Sequence, residues 1–298
     1  MDADLDALVI GGGPAGLTAA IYLGRFRRQF RVADGGESRL GLVPVTHNHP
    51  GFPGGIEGHA LLSRMRTQAE RYGAIILPDT VAALRRDGGG FVAEIGGRSV
   101  RARYVILATG VEDRPATPDF AGAIQKALIR ICPICDGYEV IDQDVGVIGA
   151  GAHGAREALF LRDYGRKVTL LNAGARADLD GGPLQELAAA GIDVVDAEAR
   201  AVFRDADGRI VLVLSDGRRL GFGAVYSALG TTPRTQLAAT LDVRTNETGC
   251  ILVDEHQRTS VDGLYAAGDL VRGLNQISVA EAEAAIAATD IHNRLRAL

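Results

Sequence analysis

One unit constrains this chain more than any other feature: an apolar strand, a glycine turn, a helix and a second strand, and it occurs twice. Residues 6–10 form an apolar run that enters Gly11-Gly-Gly-Pro14-Ala15-Gly16. Residues 17–23 hold helix formers with no breaker, and residues 30–33 read as a second strand ending at Asp34. Much later, residues 144–148 enter Gly149-Ala-Gly151-Ala-His153-Gly154. Residues 155–164 then read as a helix and 167–171 as a strand ending at Asn172. Such units bind dinucleotides in parallel α/β sheets. In each, the first glycine makes the turn, the second lets backbone approach a pyrophosphate, and the third lets helix and strand pack closely. The helix N-terminus then receives the phosphate charge.

The two units differ at the tip of their second strand. Asp34 lies about 20 residues after Gly13, the place from which an acid accepts hydrogen bonds from ribose hydroxyls. The second unit ends in Asn172-Ala-Gly-Ala-Arg176. Asn172 can bond a ribose there, but no acid selects NAD and no arginine pair accepts a 2′-phosphate. Arg176 is the nearest cation. His153, inside the second loop, faces either a phosphate or solvent.

At 298 residues the chain is long enough for two domains. Its net charge is −5, and no basic run or aromatic-basic repeat marks a nucleic-acid surface. Only Lys126 and Lys167 are lysines, and neither stands in a P-loop. No apolar run reaches the ~18 residues of a membrane span. The acidic first residues differ from a signal peptide, and the expectation is a cytoplasmic protein. Strand pairs are expected over 91–105 and 201–225, with turns at Gly96-Gly97, Asp207-Gly208 and Asp216-Gly217. Apolar strands at 104–110 and 224–230 end in glycine, and the proline segments after them, around Pro115–Pro118 and at Pro233, are linker candidates.

Three cysteines make no disulfide framework. Cys132-Pro-Ile-Cys135 fits a redox pair that alternates between dithiol and disulfide. A zinc site would need a second such pair, and Cys250 is the only other thiol. Asp136, directly after Cys135, can hold or deliver a proton as the dithiol forms, or be an ordinary helix-end acid. Cys250 is read as a small core residue in a buried strand. His47 and His49 flank Asn48 in a Pro/Gly-rich loop, with no carboxylate partner in view for a metal site. Ser278-x-x-Glu281 is read as a capping box opening a helix over 279–288.

Taken in order, Gly11–Gly16, the 48–55 loop, Ala108-Thr109-Gly110, Cys132-Pro-Ile-Cys135-Asp136-Gly137, the second glycine loop, and Gly268-Asp269 with Gln276 resemble the low-molecular-weight thioredoxin reductases. The resemblance covers essentially the whole chain. It implies an α/β fold of two Rossmann-like three-layer domains, one inserted in the other. An FAD domain would span 1–112 and 241–298, and an NAD(P)H-type insert carrying the cysteine pair would span 113–240. It further implies that FAD contacts Gly11, Gly13, Pro14, Ala15, Gly16, Asp34, Asn48, Thr109, Gly110, Gly268, Asp269, Gln276 and Ile277. Cys135 would face the flavin, Cys132 would attack a thioredoxin-like protein or small disulfide, and Asp136 would be the acid. The insert would rotate to present the cysteine pair, and the protein would be a homodimer.

Two departures from that family stand out. Its cationic grip on the NADPH 2′-phosphate is replaced by Asn172-Ala-Gly-Ala, and its Arg-Gln pair before the last helix by Asn275-Gln276. The chain therefore also resembles divergent members that take electrons from ferredoxin or hold a second FAD in the old NADPH domain. Gly149, Gly151, His153, Gly154 and Asn172 are the expected contacts of that second dinucleotide, NAD(P)H or FAD. A flavin-disulfide redox sensor and a dithiol oxidase are the other readings.

Overall fold

The structure, a computed structural model, describes residues 5–179 and 181–297. The chain opens with β1 (Leu5–Ile10), α1 (Pro14–Arg25) and β2 (Phe30–Ala33), followed by α2 (Gly58–Arg71) and β3 (Ile75–Leu77). Next come β4 (Val81–Asp87), β5 (Gly90–Ile95), β6 (Arg98–Leu107), β7 (Val111–Asp113), α3 (Phe120–Gln125) and α4 (Pro133–Asp136). The second unit is β8 (Asp144–Gly149), α5 (Gly151–Arg162), β9 (Lys167–Asn172), α6 (Gly182–Ala189) and β10 (Asp193–Asp196). After β11 (Ala199–Arg204), β12 (Ile210–Leu214), β13 (Arg219–Phe222), β14 (Ala224–Ala228) and β15 (Thr231–Pro233), the chain finishes with α7 (Gln236–Ala239), β16 (Leu264–Ala266) and α8 (Ile277–Arg296).

The first sheet runs β3-β2-β1-β6-β5-β4, with β16 on the far half of β6. Strand β6 serves two purposes. Its first half pairs antiparallel with β5, and its second half lies parallel between β1 and β16. The centre of the sheet is buried on both faces, as the apolar residues 7–10 of β1 require. Ala7 and Val9 point into a core with α1, α2 and α8, and Leu8 and Ile10 into one beneath β5 and the segment around Ile251. The α1 and α8 faces that meet there are lined by Ala15, Ala19, Ala20, Ala280, Ala284 and Ala287. Small side chains let the two helices approach closely.

The second sheet runs β10-β9-β8-β14, all parallel. Residues of α5 and α6 cover one face. The antiparallel meander β11-β12-β13 covers the other, with Phe222 packed where a side chain on Gly146 would stand.

Several sequence expectations are corrected here. Pro233 ends β15, which pairs antiparallel with β7, so the two chain crossings between the sheets are bonded to each other. The proline of β15 fits because β15 is an edge strand of a two-stranded sheet. Helix α8 starts at Ile277 with Gln276 as its cap, and no side-chain cap bond forms. The capping box is thus overturned. Ser278 already lies inside the first turn, and Glu281 faces His49 instead, 3.9 Å away. Cys250 is a half-buried free thiol reached by a weak bond from Thr248, not a strand core residue. The loop from Asn246 takes over that stretch, because Asn246 Oδ1 accepts from the N–H groups of both Thr248 and Cys250. Only Ile251 makes bridges there.

Candidate active site

In an open parallel sheet, ligands bind where strand order reverses, beyond the carboxyl ends of the strands. Here that point lies between β1 and β6, where Gly11 follows β1 and Ala108 follows β6. A Cβ on Gly11, whose φ is +119°, would lie 2.1 Å from the Ala108 carbonyl oxygen. A Cβ on Gly16 would lie 1.8 Å from the Gly11 oxygen. Both are therefore fixed by packing. Gly13 is different: its Cβ would meet only Ser38 Oγ, at 3.3 Å. Gly13 also opens α1 with no side-chain cap, leaving the N–H groups of the first turn to a ligand.

A cavity of about 690 Å³ runs from this crevice to the insert. Gly11, Gly13, Pro14, Ala15, Asp34, Asn48, Thr109, Gly110, Gly268, Asp269, Gln276 and Ile277 all line it, and so do Cys132, Cys135 and Asp136. Gly16 is the one expected FAD contact that lies outside the lining, buried by its helix-packing role. The volume, the open backbone at Gly13 and the uncapped helix start together fit an FAD-sized dinucleotide.

Asp34 is buried, accepts from the Gly36 N–H at 2.9 Å and is paired with Arg66. Its carboxylate occupies the space a side chain on Gly12 would need. Arg39 was not foreseen. It forks onto Asp113 of β7, at 2.7 Å through each of Nε and Nη2, and reaches Asp269 at 3.4 Å. It thereby ties the crossing strand to the dinucleotide cleft. Burial pushes Asp269 above the ordinary carboxylate range against the pull of Arg39, with Asp113 adding repulsion.

At the insert end, Cys132 and Cys135 are joined as a disulfide. Gln276 Nε2 lies 3.4 Å from the Cys132 sulfur and 3.5 Å from that of Cys135. The Gln276 carbonyl accepts from Asn48 Nδ2 at 2.8 Å. Three sequence-distant segments thus meet at the disulfide. Asp136 does not stand free: it accepts from Arg130 at 2.6 Å and from Tyr226 at 2.8 Å. Burial raises its pKa, opposed by Arg130 and Tyr226 and reinforced by Glu139. His47 has a carboxylate partner after all, Glu139, at 3.5 Å across the cleft. Among the described residues no cluster of three or more His, Cys, Asp or Glu is placed to hold a metal.

The second glycine loop is built like the first. Gly149 and Gly154 pack backbone to backbone, and Gly151 opens α5. His153 is exposed. Asn172 is buried and donates to Asp196 at 2.9 Å and to the Gly174 carbonyl at 3.2 Å. Its amide nitrogen is thus engaged inside the fold. The Cβ of Asp178 lies 3.5 Å from where a Cβ on Gly151 would stand. The side chain of Arg176 lies outside the described part.

The arginine and tyrosine around Asp136 left no motif in the sequence. The only signal for Arg130 was a cation two residues before Cys132, and for Tyr226 a lone hydroxyl in an otherwise apolar strand.

Comparison with known proteins bears on this arrangement. The family model for pyridine nucleotide-disulphide oxidoreductases matches residues 5–284. The thioredoxin reductase of Streptomyces coelicolor is 34% identical over 280 residues, covering 89% of this chain and 86% of that one. The NADPH-dependent thioredoxin reductase 3 of Arabidopsis thaliana is 32% identical over 291 residues, covering 89% of this chain and 53% of that one. The crystal structure of thioredoxin reductase from Streptococcus pyogenes superposes with a TM-score of 0.84 at 25% identity, covering 100% of both chains.

Proposed function

The chain belongs to the pyridine nucleotide-disulphide oxidoreductase family, as a flavin-dependent disulfide oxidoreductase of the low-molecular-weight thioredoxin reductase kind, and we propose that it moves electrons between FAD and Cys132–Cys135 and onward to a thioredoxin-like protein or small disulfide, with a degenerate nicotinamide site. The observation that carries this reading is the disulfide in the wall of the same cavity as Gly13 and the α1 N-terminus. FAD, when bound there, supplies the two-electron exchange with the sulfurs. The chain's residues do the rest. The first turn of α1 would hold the pyrophosphate, Asn48 and Gln276 would border the ring end, and Gln276, which lies beside both sulfurs, would keep them on that side of the cavity. Cys132 attacks the partner disulfide through a mixed disulfide and Cys135 resolves it. Asp136 exchanges the proton that accompanies opening and closing of the Cys132–Cys135 bond.

The degenerate nicotinamide site is supported by three features. No arginine pair stands after β9, Asn172 is engaged with Asp196, and Asp178 lies beside Gly151 at the mouth of α5. An acid there repels a pyrophosphate that the helix N-terminus attracts. Each missing charge-assisted contact costs ~1.5–3 kcal/mol, roughly ten- to a hundredfold in affinity. Electrons would then arrive from a carrier such as ferredoxin or through a second flavin. A second reading is an ordinary NADPH-dependent thioredoxin reductase, favoured by the intact loop Gly149–Gly154 and by the relatives.

Stopped-flow mixing with micromolar NADPH separates the two. Slow, unsaturable bleaching of the flavin band is expected, and fast saturable bleaching returns the protein to the second reading. Counting FAD released on denaturation distinguishes one flavin per chain from two.

A further inference from the structure

Asp136 is held by two residues from separate parts of the chain. Arg130 lies beside β14 as an added, parallel-paired residue. Its N–H donates to the Val225 carbonyl at 2.8 Å, and Ser227 N–H donates to the Arg130 carbonyl at 2.8 Å. This makes Arg130 and Tyr226 bridge partners. Directly paired residues project to the same face of a sheet, so their heads converge. Arg130 Nη1 donates to Asp136 Oδ2 at 2.6 Å. Tyr226 Oη donates to Asp136 Oδ1 at 2.8 Å and lies 3.0 Å from the Asp136 carbonyl. Tyr226 is wholly buried, and the Asp136 carboxylate and backbone carbonyl supply the acceptors a buried tyrosine hydroxyl needs.

We propose that Arg130 and Tyr226 are positioning residues for proton transfer at the disulfide. They hold the Asp136 carboxyl in place in the cavity wall that Cys135 also lines, so that it protonates the Cys135 sulfur when the bond opens and takes the proton back when it closes. The inference rests on the reading of Asp136 as the proton carrier. The step balances with a simple dithiol. A dithiothreitol thiolate attacks the Cys132 sulfur, the Cys132–Cys135 bond breaks, and Cys135 leaves with the Asp136 proton. The second dithiothreitol thiol then displaces Cys132, giving oxidised dithiothreitol and two protein thiols.

Electrostatics supports the geometry. The charged groups facing Asp136 are Arg130 and Glu139, with Tyr226 beside them and His47 beyond Glu139. Burial and Glu139 favour the neutral acid, and Arg130 and Tyr226 favour the carboxylate. Without Arg130 only Tyr226 opposes the first pair, and the titration of Asp136 moves up. Tyr226 itself is pushed far above its ordinary value by burial and by Asp136, so it remains a donor throughout.

The test is the rate of disulfide opening by dithiothreitol in the purified holoenzyme, from pH 4 upward. Opening is counted as thiols above the single one of Cys250 and corrected for the ionised fraction of the reagent. In the wild type the corrected rate falls as pH rises through the Asp136 titration, and Asp136→Asn removes that fall. Arg130→Gln moves the fall upward by about one to two pH units. Arg130→Lys restores most of the wild-type position, and Tyr226→Phe gives a smaller upward move. A purely structural role would lower the rate at every pH and leave the fall in place; that result overturns the inference. Should Arg130→Gln fail to fold, Tyr226→Phe, which keeps the ring, decides alone. A wild-type profile in Asp136→Asn overturns the underlying reading of Asp136 instead.

Discussion

Glycines in the same motif serve opposite ends, and substitution separates them. Gly16→Ala puts a methyl 1.8 Å from the Gly11 carbonyl oxygen, a backbone clash that nothing can relieve cheaply. It is expected to lower stability by about 3 kcal/mol or more, read as a fall in the urea midpoint. Gly13→Ala meets only a rotatable hydroxyl. It should fold with a near-normal midpoint and lose FAD at least tenfold, measured by flavin retained on gel filtration. Equal midpoints for the two variants would refute this division. The cysteines permit an equally sharp expectation. Cys132→Ser and Cys135→Ser each leave two free thiols per chain, the surviving partner and Cys250, and each abolishes disulfide turnover. A variant retaining more than a tenth of the turnover would remove its cysteine from the electron path. Both motifs were legible as motifs. Arg39, Arg130 and Tyr226 were not, because they act through partners 74, 6 and 90 residues away along the chain.

Among the elements, α8 shows what one ion pair contributes to docking a helix. Asp290 accepts from Arg258 at 2.6 and 2.8 Å and from Tyr265 at 2.6 Å, joining α8 to β16 and the turn before it. Burial pushes the Asp290 pKa up, but the bonds from Arg258 and Tyr265 outweigh it and hold it below the ordinary range. A depressed folded-state value means that stability is present above the unfolded pKa, ~3.9, and is lost as pH falls through the folded one. Asp290→Asn should therefore cost about 1–3 kcal/mol at pH 7, discounted toward the low end because Arg258 is partly exposed. The gap to wild type should close as pH falls through the lowered folded-state value. A gap independent of pH would mean that packing, not charge, is lost. The strands β1, β2, β8 and β9 were legible because short apolar runs flanked by glycine have few alternatives. The α8 boundary was not. Its N-cap position is taken by Gln276, which stands beside the disulfide, and a local capping pattern carries no information about that contact.

Across the whole molecule, the disulfide faces the cleft and Gln276, while the protein disulfide proposed as substrate would have to reach Cys132 from outside. Rotation of the insert about the paired strands β7 and β15 would serve both needs, as rigid-body domain motions do elsewhere. His47 and Glu139, 3.5 Å apart across the cleft, offer a way to arrest it. Cysteines at these two positions, joined by a short bis-maleimide, should cut turnover of a protein disulfide at least tenfold. Reduction of the flavin by dithionite should be unaffected. Unchanged protein-disulfide turnover in the linked form would show that no rotation is needed.

The repeated strand-glycine-helix pattern, Asp34 and the cysteine pair are local statements, because glycine turns, helix starts and thiol spacing are set by neighbours in sequence. From them the α/β class, the two nucleotide units and the redox chemistry could be read in advance. The tertiary structure alone decided that Asp136 is clamped by Arg130 and Tyr226, that Asn172 is spent on Asp196, and that Asp178 sits at the mouth of the second loop. It also decided that the two crossings pair as β7 and β15. The physical reason is common to all of these. Each is a hydrogen bond or contact between segments brought together only by the packing of sheets, and the free energy of such contacts depends on a burial and a geometry that no local stretch of sequence encodes.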